Sequence, residues 1–105
     1  MQDLTTISNF TEKQAALHSK CADLLFKIST AIEAAQDREN ELDYRQKYGK
    51  PTGCWDDVSS DTLEAEFTAK AHEVATLMEQ YADLAISLHT GIKSFTLSIT
   101  SSIAA

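Results

Sequence analysis

A chain of 105 residues is long enough for one domain, and at this size only a modest core can leave water. The formal net charge of -7 argues against nucleic acid and against anionic membrane surfaces, because an acidic protein repels phosphate. Three Gly and one Pro are few, while Ala, Leu, Glu, Gln and Lys dominate the segments between turn signals, so the composition predicts long helices.

The start, Met1-Gln2-Asp3-Leu4, has neither the basic flank nor the apolar run of a secretory signal. No apolar run is long enough to span a bilayer. A cytoplasmic location is expected, with signal-less export still compatible.

The first predicted helix covers about 8–48. Its apolar residues step by three and four through Ile7, Phe10, Leu17, Cys21, Leu24, Ile28, Ala31, Ala35 and Leu42, with Gln14 and Arg38 as polar interruptions. Asn9 followed by Glu12 has the spacing of an N-terminal cap pair. A break near Gln36 to Asn40 is the alternative, giving three shorter helices that close a monomeric bundle.

The turn is predicted over 49–58, where Gly49-Lys50-Pro51-Thr52-Gly53 supplies strong helix-stopping punctuation. Trp55 lies beside it, either capping the closed end or anchoring a partner.

The second predicted helix covers about 59–103. Leu63, Phe67, Val74, Leu77, Tyr81, Leu84, Leu88 and Phe95 repeat the three-four spacing. Ser59 suits an N-cap, with Val58 and Leu63 placed to staple across it. Gly91 is a weak point where the helix is expected to bend or fray. From Asp56 to Asp83 there are eight acids (Asp56, Asp57, Asp61, Glu64, Glu66, Glu73, Glu79, Asp83) against Lys70, so this stretch accounts for the net charge.

Two long helices and a short turn make an antiparallel hairpin, an all-α single domain. The apolar face is wider than a hairpin alone covers. Leu25 and Ile32 flank Leu24 and Ile28; Met78, Ala85, Ile92 and Ile99 flank Leu84 and Leu88. Such a face is ordinarily completed to a four-helix bundle, by a homodimer or a partner protein. From Ile86 to Ala105 Lys93 is the only formally charged side chain, so the end bearing Ile92, Phe95, Ile99 and Ile103 is the expected contact.

Chemistry-bearing motifs are sparse. In a hairpin, about 27 residues of helix (roughly 40 Å) separate Cys21 from the turn with Cys54, far beyond disulfide reach. Cys21 is read as core and Cys54 as a turn thiol. His18, Cys21 and His89 are at comparable heights, but without a fourth ligand they read as two surface histidines and a core cysteine, so no metal is expected. Phosphate loops, nucleophile elbows and Cys-x-x-Cys pairs are all missing, and a hairpin offers no deep cleft, so neither an enzyme nor a cofactor is expected.

In outline the chain resembles the small hairpin proteins carried by type VII secretion. Trp55 in the turn, then Phe67, then Leu84-Ala85-Ile86-Ser87-Leu88 on the second helix, are laid out similarly. Asp56-Asp57 stand where that family has x-Gly, and its Tyr-x-x-x-Asp/Glu signal is missing after the second helix. Needle subunits and small chaperones of type III secretion share the hairpin shape.

Two functional expectations follow. The first is a non-enzymatic module binding partner helices through Leu24, Ile28, Leu84, Leu88, Ile92, Phe95 and Ile99, in a setting such as a secretion-associated chaperone or secreted hairpin. The second is a small acidic inhibitor, an immunity or anti-defence protein. It would meet a basic target with Asp57, Asp61, Glu64, Glu66 and Glu73.

Overall fold

The computed structural model describes residues 4–104, with side chains described as far as Ser101. Among these residues there are two long helices and no strand. Helix α1 spans Leu4–Tyr48 and α2 spans Ser60–Ala104, packed against each other and joined by a turn with one short 3₁₀ segment, Gly53–Trp55. By their contacts the residues form two units, Phe26–Met78 with the turn, and the described part of Met1–Leu25 with Glu79–Ala105.

The heptad spacing explains the packing. With Ile28 at position a, the a and d positions of α1 run from Ile7 to Arg45. With Val74 at a, those of α2 that lie between the exposed Ser60 and Ser98 run from Leu63 to Phe95. Every one of them is buried or half-buried, Lys70 and Gly91 included. Each helix thus turns one 3.5-residue stripe toward the other. Within the turn unit Arg45 reaches Ser60 and Arg38 reaches Glu66. Within the other unit Phe10 stacks on Phe95, and Gln14 lies beside Gly91. In both units numbers fall on α1 as they rise on α2, so the helices are antiparallel.

Several boundaries differ from the sequence reading. Helix α1 is already formed at Leu4, which places Asn9 and Glu12 inside it as exposed residues and not as a cap pair. The half-buried Ile7 and Phe10 continue the stripe, and packing of that stripe carries the helix past the cap signal. Helix α1 also runs unbroken through Gln36 to Asn40, so the three-helix alternative does not occur. Likewise α2 is continuous through Gly91, because the seam on either side holds it helical.

Caps and turn chemistry set the ends. Gly49 takes φ 72°, the left-handed conformation that favours glycine, and its N–H donates to the Arg45 carbonyl at 2.8 Å. That bond satisfies one of the carbonyls left free where α1 stops. At the other side Ser59 caps α2 as its sequence suggests: the Thr62 N–H donates to Ser59 Oγ at 3.1 Å. Asp61 in the first turn of α2, and Arg45 with Lys47 in the last turn of α1, complement the helix dipoles.

Candidate functional site

The turn unit is locked by a buried carboxylate. Glu41, only 3% exposed, accepts hydrogen bonds from the Thr52 N–H (2.9 Å), the Thr52 hydroxyl (2.8 Å) and Arg45 Nε (3.0 Å). Arg45 also donates to the Trp55 carbonyl at 2.7 Å and to Ser60 Oγ at 3.2 Å, tying α1, the turn and the start of α2 together. Burial pushes the Glu41 carboxyl up, but the two Thr52 donors and the Arg45 charge outweigh it and hold the group below the usual carboxylate range. Nearby, Arg38 lies 5.3 Å from the Trp55 ring centroid and pairs with Glu66 at 3.1 Å. These contacts hold the half-buried Trp55 against the closed end. A shallow recess lined by Asp37, Asn40, Glu41, Tyr44, Thr52 and Trp55 opens there, but its buried groups already satisfy one another.

Nothing in the sequence alone marks Glu41 as buried. Its spacing of four from Arg45 is visible in the sequence, but its role depends on Thr52 folding back over α1.

The seam accounts for most of the residues expected to meet a partner. Leu24, Ile28, Leu84, Leu88 and Phe95 occupy a or d positions and are covered by the other helix, Ile28 and Leu88 being buried. Phe95 stacks on Phe10 with centroids 3.9 Å apart. These five therefore lie along the seam between the two helices. Ile92 and Ile99 lie at e, beside the seam, and the side chain of Ile103 lies outside the described residues.

Leu25, Ile32, Met78 and Ile92 are exposed at e positions, and Phe26, Ile86 and Leu97 are exposed at f and c positions. In an antiparallel pair the e positions of both helices border the same side of the seam. In the turn unit Ile32, Ala35, Phe67, Ala71 and Val74 line one groove on that side, with Gln36 and the charged Glu39 at its edge. In the other unit Leu25, Ala85 and Ile92 are the corresponding e residues. The adjoining b positions are small or uncharged, Ala15, Ala22 and Ser29 on α1 and Ala75, Ala82 and His89 on α2. From residue 4 to 36 and from 68 to 99, no b or e position carries a formal charge. Lys13, Lys20, Lys27, Glu73, Glu79, Asp83 and Lys93 all fall at c, f or g.

The acidic set divides differently. Glu66 is paired with Arg38, and Glu73 with Lys70 at 3.1 Å. Asp57, Asp61 and Glu64 are exposed near the turn. Cys21 is buried and Cys54 exposed, both as free thiols. His18 and His89 are exposed, and among the described residues no three ligands gather as they would around a metal ion. No helix among them is long and apolar enough to cross a membrane.

No family model matches the chain, and no curated protein or solved structure is similar to it.

Proposed function

We propose that this chain is a non-enzymatic docking module that binds partner helices through exposed apolar e positions of its hairpin. The observation that carries the reading is the exposure of Ile32 and Met78 at e positions within the turn unit, and of Leu25 and Ile92 at e positions within the other unit. Apolar side chains set at helical spacing beside small residues suit a helix laid along them. A secretion-associated chaperone or secreted hairpin is one setting for such a module.

The acidic-inhibitor reading draws on a smaller surface. Glu66 and Glu73 are engaged by bases of the chain itself, which leaves Asp57, Asp61 and Glu64 for a basic target.

Photo-crosslinking side chains placed one residue apart test the docking reading in producing cells. Probes at Met78 and Ile92 face the proposed side; probes at Glu79 and Lys93 face away from it. Protein adducts at the first pair and not the second are expected. Equal adducts at all four positions, or none at Met78 and Ile92, would sink the reading.

A further inference from the structure

Resting on that docking reading, we propose that the groove within the turn unit takes a helix of another protein, one whose apolar residues are followed about two turns later by Lys or Arg. The groove lies wholly within Phe26–Met78. Ile32, Ala35, Phe67, Ala71 and Val74 give it an apolar wall drawn from both helices. These are a and e residues, so the groove follows the seam, where a third helix packs in a bundle.

Charge selects the occupant. Glu39, at the e position one heptad past Ile32, edges the groove toward the turn. Glu64 holds the equivalent place on α2, one heptad before Ala71. Asp43 and Asp61 stand at neighbouring b positions, and all four acids are exposed. Among the described residues none of the four is paired with Lys or Arg; the ion pairs of the unit take Glu41, Glu66 and Glu73 instead. No b or e position of α1 or α2 within the unit carries Lys or Arg. An acidic helix is therefore repelled here and a basic one attracted. A second copy meeting this groove with its own would add the same unpaired acids and no base.

The spacing follows from helix rise. One heptad advances about 10 Å, so a helix with apolar residues beside Ile32 and Ala71 meets Glu39 and Glu64 about two turns on. The groove on the other side of the same unit has a different character. Lys27 and Lys70 line it beside Phe26 and Ala31, and its acid, Glu73, is already paired with Lys70.

The test is selection on the full chain from a display library of peptides of about 20 residues, in which Ala, Leu, Lys, Glu and Gln vary freely. Fluorescence anisotropy then gives the affinity of the selected peptides, with far-ultraviolet dichroism as the check that each variant is folded. Selected peptides are expected to carry leucines at three-four spacing with Lys about seven residues away, and to bind more weakly as salt rises. The double variant Glu39→Lys, Glu64→Lys is expected to weaken them about tenfold, and to select Glu in place of Lys when the library is applied to it. Ala71→Glu, at an exposed groove position, is expected to abolish binding, and Lys27→Gln, in the other groove, to leave it unchanged. Leucine-striped peptides without a Lys preference overturn the basic occupant while the docking reading stands. So does an affinity indifferent to Ala71→Glu or to the double reversal. A wild type at twice 11.6 kDa by light scattering, halved by Ala71→Glu, would give the groove to a second copy and overturns it too. A library from which no peptide is retained above an unrelated protein removes the docking reading along with the occupant.

Discussion

Replacing Gly91 with Ala should stabilise the protein. Gly91 lies at a d position inside α2, where glycine costs about 0.5–1 kcal/mol relative to alanine through its larger backbone entropy in the unfolded chain. Its backbone is helical, so alanine needs no strained φ. A Cβ built there meets one neighbour within 4 Å, the Gln14 Nε2 atom at 4.0 Å, which is an ordinary contact. The propensity gain is therefore not opposed by a clash, and a gain of about 0.5–1 kcal/mol is expected. At this chain length that raises Tm by about 2–8 °C. Thermal and urea unfolding followed by dichroism measure it. The neighbour supplies a second arm: Gln14 Oε1 is buried and accepts no hydrogen bond from the described residues. Gln14→Leu removes a buried acceptor whose desolvation costs about 1–3 kcal/mol, and should also stabilise. Because the two side chains touch, the double variant should depart from additivity. A neutral or destabilising Gly91→Ala would refute the reasoning, since it would mean that α1 approaches α2 at this point more closely than the packing described above.

Among the described residues Leu63 is the one large side chain with no exposure at all, so Leu63→Ala should cost about 2–5 kcal/mol in urea unfolding; a cost under about 1 kcal/mol would contradict its burial. The Phe10–Phe95 stack should show a coupling of about 0.5–1.5 kcal/mol in a double-mutant cycle to leucine, and zero coupling would mean that the rings do not stack in solution. The depressed Glu41 carboxyl binds its proton less readily folded than unfolded. Its stabilising contribution is therefore present above the ordinary carboxylate range and is lost as pH falls through the folded value. Wild type should exceed Glu41→Gln in stability at neutral pH and lose that margin in acid; a margin that is flat with pH would place the carboxylate outside the Thr52–Arg45 network.

The hairpin was legible in the sequence because its cause is local and periodic. Three-four spacing marks a helix stripe wherever it occurs, Gly49 and Pro51 stop a helix by their own backbone chemistry, and Ser59 caps whatever helix follows it. The Asn9 cap signal and the Gly91 weak point were equally local, and both were overridden by packing along the seam. The sequence also showed a stripe wider than one hairpin requires, but not which part of it faces inward. Leu24 and Leu25 are equally apolar neighbours. Only the pairing of α1 with α2 turns Leu24 into the seam and leaves Leu25 exposed, because the antiparallel register selects one 3.5-residue stripe on each helix. Glu41 shows the same division. Its charge and its spacing to Arg45 are in the sequence, but its burial arises when the turn folds Thr52 back onto α1. Local chemistry determined the two helices and where the chain reverses. Long-range pairing decided which apolar residues are spent inside the hairpin and which remain outside, since that choice depends on the residues that the other helix presents.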